Sequence, residues 1–488
     1  MLRRTAGWFD TRLGTSAFVQ KALTKVFPDH WSFMIGEIAL YSFMVLLLTG
    51  TFLTFFFDAS TSHSVYRGAY EPLNGVEVSD AYRSVLELSF DVRAGLVMRQ
   101  IHHWAALVFI GSIVAHLCRV FFTGAFRRPR EINWIIGVLL LILAIFNGFS
   151  GYSLPDDLLS GTGLRIAHSI ALSVPLVGTW MAFLLFGGEF PADEIIGRLF
   201  VVHIMIVPAL IIGLLTIHLA VVWRQKHTQF REAGRTESNV VGSRLWPSYA
   251  AKSVGLFFAV SAVLSVMGGL AQINPVWLYG PFEPQQVTSP AQPDWYLGWV
   301  EGALRLVPAF DVRLFGYEIP NPFFPAVLLP GVTFTLLLAW PFLEQRFAHD
   351  KEAHHLLDRP RDHPVRTALG ATTLTFYTVM FVAASNDLIA KWLGASIFGI
   401  TLIFRILILL MPPAVGWGTY RLMKALAASG ARHLSEMPLA ALTNGGAADG
   451  RGAHVDEGKD HGVAGHPSDG QAGNGLGAPA EEARTPGG

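Results

Sequence analysis

Eight runs of about twenty apolar residues leave this chain little choice of architecture, because a segment crossing a bilayer core about 30 Å thick must satisfy its own backbone and does so as a helix. Of its 488 residues, 52% are hydrophobic and only 15% charged. The hydropathy pattern predicts spans at roughly 34–57, 101–122, 134–154, 199–223, 251–273, 322–343, 366–385 and 395–417. An all-α polytopic membrane protein is expected. The N-terminal segment and the loops after spans 2, 4 and 6 hold most of the loop Lys and Arg, so the positive-inside rule places both termini in the cytoplasm of a plasma-membrane protein. The first apolar run, near Met34, lacks a small-residue cleavage site and reads as a retained helix. Net charge is zero with no basic face, which argues against a nucleic-acid partner. Cys118 is the single cysteine, so the chain forms no internal disulfide, no Cys-x-x-Cys-His haem attachment and no cysteine-ligated iron–sulfur cluster.

Histidines supply the chemistry. His102 and His116 are 14 residues apart in span 2, and His203 and His218 are 15 apart in span 4. Four helical turns take about 14.4 residues, so each helix presents two imidazoles on one face, about 21–23 Å apart along the axis. Facing each other, spans 2 and 4 offer two bis-histidine layers, one near each membrane surface. Two imidazoles without a third ligand make a poor zinc site but meet the axial demand of a haem iron. His103 competes with His102, but its 13-residue spacing to His116 turns it about 140° off the face, against about 40° for His102. His102 is therefore the expected ligand.

Gly36 and Gly50 in span 1, and Gly137 and Gly151 in span 3, repeat the 14-residue period. They are read as close-packing glycines or as flat patches for porphyrin edges at the two layers. Arg99, Arg119 and Arg198 flank the ligands; they are snorkelling helix-end side chains or partners of haem propionates. On the outer side two semi-apolar segments, Gly161–Gly187 and Pro293–Val307, are expected as interfacial helices roofing a pocket. Pro293-Asp-Trp-Tyr opens the second, with Glu301 seven residues after Asp294 and so on the same helical face. Asp156 and Asp157 form another acidic pair after span 3. Residues 430–488 contain 14 glycines and no Phe, Trp or Tyr, and are expected to be disordered. The divisions are then 1–33, a haem-binding four-helix bundle at 34–223, a cytoplasmic loop at 224–250, a second four-helix membrane domain at 251–425, and a cytoplasmic tail at 426–488.

Leu48-Thr-Gly-Thr-Phe-Leu, Arg99-Gln-Ile-His102 with His116, Gly151-Tyr-Ser-Leu-Pro, Arg198 before His203, Pro293-Asp-Trp-Tyr and Leu410-Met-Pro together resemble cytochrome b of the respiratory cytochrome bc complexes, over roughly residues 25–425. The resemblance implies an eight-helix bundle holding two non-covalent b haems, with His102 and His203 on the outer, low-potential haem and His116 and His218 on the inner, high-potential one. It implies quinol oxidation on the outer side, with Asp294, Tyr296, Glu301 and Asp156 as candidate site residues. One electron would pass to a Rieske iron–sulfur subunit and the other through the haems to a quinone reduced near the cytoplasm, contributing to the proton gradient.

Asp294 stands where most of the family has glutamate. With Gly151-Tyr-Ser-Leu-Pro-Asp-Asp and Lys226-His227-Thr-Gln, this resembles the actinobacterial branch, which implies menaquinol, a dihaem cytochrome c partner, a supercomplex with an aa-type oxidase and a dimeric complex among membrane lipids. The 15-residue spacing in span 4 is like that of chloroplast and Gram-positive relatives. In Trp246-Pro-Ser-Tyr-Ala-Ala-Lys252, the next residue, Ser253, replaces an acid of the mitochondrial inner quinone site, leaving His227, Lys252 and Glu232 as inner proton-donor candidates. Arg405 matches nothing in the family. Two other readings stand beside this one: a dihaem b-type membrane anchor of a hydrogenase or formate dehydrogenase, and a transporter using histidines as proton relays without haem.

Overall fold

The computed structural model describes residues 2–286 and 292–436. Among the described residues, eight helices are long and apolar enough to cross a membrane: span 1 (Trp31–Thr54), span 2 (Gly95–Phe122), span 3 (Glu131–Tyr152), span 4 (Ile195–Gln225), span 5 (Leu245–Leu270), span 6 (Phe324–Ala348), span 7 (Pro364–Ala383) and span 8 (Ile397–Ser429). The all-α membrane architecture is as expected. The last helix passes through Pro412 and Pro413 and continues to Glu436, further than the expected end of its domain at 425. The rest of the expected tail, 437–488, lies outside the described residues.

Span 1 packs along span 2, span 5 leans on both, span 3 pairs with span 4, and spans 7 and 8 pair with each other. Phe43, Phe109, Leu140, Leu141, Ala144 and Ile211 form one buried apolar cluster among spans 1 to 4. Phe43 lies midway between Gly36 and Gly50, and Phe109 midway between His102 and His116. Their rings stack with centroids 5.3 Å apart, so a plug of close-packed side chains separates the two histidine layers. Many other apolar side chains on the spans point outward, Leu48 and Leu270 among them, as lipid contact requires.

Span 4 is not a uniform α-helix. Val202–Ile206 forms a π-helical turn, followed by Val207–Gln225, whose first turn contains Pro208. A π-turn absorbs one extra residue. Fifteen residues therefore cover the rotation that fourteen cover in span 2, and His203 and His218 regain a common face.

The expected interfacial segments form helices Leu158–Leu172, Gly178–Phe186 and Gly298–Leu306, the last preceded by a 3₁₀ turn at Trp295–Leu297. Arg405 has a role here. Its Nε donates to Leu306 O at 2.8 Å, so a span 8 cation satisfies a carbonyl at the C-terminal end of the roof helix. On the opposite face, buried Asp358 receives Arg127 Nη2 at 2.8 Å, Arg366 Nη1 at 2.9 Å and His363 Nε2 at 3.1 Å. Burial disfavours its charge, but the His363 hydrogen bond and the Arg127 guanidinium outweigh that and hold the carboxyl well below the usual carboxylate range.

Candidate functional site

His102 and His203 face each other across the bundle with ring centroids 6.1 Å apart. Their hydrogen bonds define the tautomers. Thr49 gives its hydroxyl proton to Val45 O at 2.7 Å, so its oxygen accepts from His102 Nδ1 at 2.9 Å. His203 Nδ1 donates to Asn147 O at 2.9 Å. Both Nδ1 protons are engaged by neighbours, which leaves both Nε2 lone pairs for a metal. Thr49 stands in the Leu48-Thr-Gly-Thr-Phe-Leu motif, whereas nothing in the sequence pattern singles out Asn147.

The four glycines sit opposite the four histidines, one to one. A Cβ at Gly50 would stand 3.1 Å from His102, at Gly36 3.3 Å from His116, at Gly137 3.8 Å from His218 and at Gly151 2.3 Å from His203. At Gly151 a side chain has no room beside the imidazole. Gly151→Val forces repacking that costs about 1–3 kcal/mol, and it is expected to abolish the outer b-type absorption while the inner one persists; two intact b-type bands in the purified variant would refute this.

A cavity of about 410 Å³ opens from the His102–His203 layer up to the outer roof. Arg99, Asn274, Asp157, Asp294, Tyr296 and His103 line it together with Gly50 and Gly151. His103 Nε2 lies 2.9 Å from both oxygens of Asp294, Tyr296 Oη donates to Asp294 Oδ2 at 3.2 Å, and Asn274 Nδ2 donates to Oδ1 at 3.4 Å. Tyr296 is 2% exposed; burial and the Asp294 charge push its hydroxyl well above the ordinary tyrosine value, so it remains a donor. His103, set aside as a ligand, thus becomes a carboxylate partner. The rotation that excluded it from the imidazole face is the signal that pointed it toward the roof.

Three sequence expectations do not meet this cavity. Glu301 is bound by Arg305 Nε at 2.8 Å, and Arg305 also pairs with Asp387 at 2.9 Å. Asp294 precedes the helix in extended conformation, so the seven-residue helical phase linking it to Glu301 does not apply. Asp156 adopts a left-handed φ of 53°, and its neighbour Asp157, not Asp156, lines the cavity. Burial pushes the Asp156 carboxyl up to about 6 against the lowering effect of a Ser79 hydrogen bond. Asp157 caps the Leu158–Leu172 helix by accepting from Ser160 N at 3.3 Å. Arg198 turns to Glu194 and donates to Leu184 O at 3.0 Å, outside the cavity lining.

Similarity to known proteins agrees with this geometry. The family model described as "Cytochrome b(N-terminal)/b6/petB" matches residues 107–281. The cytochrome bc1 complex cytochrome b subunit of Mycobacterium tuberculosis is 54% identical over 422 residues, covering 86% of this chain and 77% of the relative. Those of Corynebacterium diphtheriae and Streptomyces coelicolor are 50% and 48% identical, each over more than four-fifths of this chain and more than three-quarters of the relative. The chain belongs to the cytochrome b subunits of respiratory cytochrome bc1 complexes. A solved chain titled "Hyperthermophilic respiratory Complex III" shares the fold, with a TM-score of 0.64 at 19% identity, covering 85% of this chain and 99% of its own.

Membership implies haem b, and the residues of this cytochrome b fit it. Among the described residues no three His, Cys, Asp or Glu side chains converge as a metal site, so each imidazole layer lacks the third protein ligand that zinc takes. Arg99 donates through Nη2 to Asn274 O at 2.6 Å, while its buried Nη1 has no partner among the described residues. Nε and Nη2 of Arg119 are likewise buried without partners, its guanidinium lying 4.3 Å over the Phe33 ring. His116 Nδ1 and His218 Nδ1 are orphaned too. Buried guanidinium N–H groups left unpaired are costly, and propionate oxygens are groups that satisfy them.

Of the inner candidates, Lys252 pairs with Asp29 at 2.7 Å and Glu232 with Arg235 at 3.0 Å, both at the surface. His227 is different: its buried Nδ1 has no partner among the described residues, and burial together with the cations Lys25, Arg130 and Arg119 lowers its pKa to about 4. It is held as a neutral imidazole.

Proposed function

We propose that this cytochrome b oxidises quinol, menaquinol by its actinobacterial motifs, in the outer cavity and carries one of each two electrons inward through two bis-histidine b haems. Haem iron, when bound, would supply one-electron transfer, and Arg99 and Arg119 are the residues that would hold the propionates. His102 with His203, and His116 with His218, set the two stations. One juxtaposition carries the reading: a cavity with opposed imidazoles on one wall and a roof carboxylate, Asp294, on another. Quinol oxidation sheds two protons, so a hydroxyl-binding carboxylate is needed there. Asp294, oriented by His103, Asn274 and buried Tyr296, takes the first. Asp157 lines the same cavity, and the neighbouring Asp156 carboxyl offers an onward acceptor toward the outer surface.

The second electron needs an acceptor outside this chain, which is the role of a Rieske subunit delivering to a dihaem cytochrome c and an aa-type oxidase, in a dimeric complex. Both termini face the cytoplasm in this reading. The test is quinol-driven reduction of the purified complex: both b haems become reduced when the iron–sulfur subunit is present and the reaction stalls when it is removed. Undiminished reduction without that subunit would favour a simple dihaem anchor.

A further inference from the structure

Glu37 stands in the first turn of the span 1 helix, one residue from the glycine that touches His116, and so at the level of the inner imidazole layer. A carboxyl inside a membrane-crossing segment is expensive to keep and usually belongs to a working site. Its partners are hydroxyls. Ser253 Oγ donates to Oε2 at 2.6 Å, Tyr41 Oη donates to the same oxygen at 3.2 Å, and Tyr249 Oη donates to Oε1. Two of these come from span 5, so the carboxyl joins two helices through groups that both accept and donate protons.

Two features adjoin the cluster. The Tyr249 ring stacks on Phe27 at 4.6 Å, and Phe27 packs at 4.8 Å against His227, whose buried Nδ1 has no partner among the described residues. An aromatic wall carrying an unsatisfied nitrogen and a phenol is suited to a flat ring with carbonyl oxygens. Beside it Lys252, the residue before Ser253, pairs with Asp29 at 2.7 Å, both side chains being in contact with water.

We propose that Glu37, acting through Tyr249, delivers protons to the quinone reduced on the inner side. This rests on the quinol-oxidising reading above. Reduction of one quinone consumes two electrons, passed singly from quinol oxidised outside, and two protons from cytoplasmic water; each carbonyl oxygen gains one hydrogen. For each proton, Tyr249 Oη gives its hydrogen to a quinone oxygen and takes one from the Glu37 carboxyl. The carboxyl is refilled from cytoplasmic water, which already reaches the neighbouring Asp29–Lys252 pair. Ser253 therefore does not leave the inner side without an acid, because the carboxyl reaches the same place from span 1.

The test uses the intact complex and follows reoxidation of reduced b haem by added menaquinone after a single quinol turnover. In Glu37→Gln this reoxidation is expected to slow by about a hundredfold, the scale of a lost proton donor, while both haems remain bound. The double variant Glu37→Gln, Ser253→Asp returns a carboxyl from span 5 and is expected to recover most of the rate. Reoxidation of Glu37→Gln within twofold of the parent overturns the proposal. So does a double variant as slow as Glu37→Gln with both haems present, which would make the carboxyl a structural tie. Failure of quinol to reduce any b haem in the parent complex would instead sink the reading on which this one stands.

Discussion

Purified His218→Ala, like His116→Ala, is expected to contain one b haem per chain instead of two, with the outer haem still reduced by quinol. The reason is the separation of the layers. His102 and His203 have their own hydrogen-bond partners, Thr49 and Asn147, and Phe43 stacked on Phe109 fills the space between the levels. Losing one inner imidazole would remove one of the two side chains that would hold the inner iron and leave the outer pair untouched. It also leaves Arg119 without the propionate that would satisfy its buried N–H groups. Haem content by haemochrome assay, together with reduced-minus-oxidised spectra, reads the result. Two undiminished b-type signals in either variant would break the assignment of the inner ligands.

The second large effect is kinetic. Asp294→Asn is expected to slow quinol oxidation by about 10²–10⁴-fold, the usual worth of a positioned general base, and to change the quinol concentration for half-saturation far less. Asparagine keeps the shape and one accepting oxygen, which serves His103 together with either Tyr296 or Asn274, so most of the cavity wall survives while the basic lone pair is lost. Rapid-mixing measurement of the first turnover separates the two quantities. An unchanged first-turnover rate would transfer proton acceptance to Asp157 or to the partner subunit.

The spans and histidine layers were legible because both depend on periods along one helix. Apolar run length sets the number of crossings, and 14 residues place two side chains on one face whatever surrounds them. The same period marked Gly36, Gly50, Gly137 and Gly151, and each meets a histidine. Roof residues were harder to read, since they lie where helical phase breaks. Glu301 was assigned by counting seven residues from Asp294, across a backbone that is extended at Asp294 and begins its helix only at Gly298. Arg198 had a visible competitor, Glu194, one turn earlier, and that local ion pair claims it.

Local pattern, then, was enough to establish an eight-crossing helical protein with two imidazole levels, since hydropathy and helical rotation act over a few turns of one segment. Folding in three dimensions settled which polar groups serve those levels. The π-turn before Pro208 brings His203 back into phase with His218, the left-handed backbone at Asp156 leaves Asp157 on the cavity wall, and His103 meets Asp294 from 191 residues away. Glu37 meets Tyr249 and Ser253 across more than two hundred residues. Such pairings depend on how separate helices pack and where loops return, and these distances are not written in the spacing of any one segment.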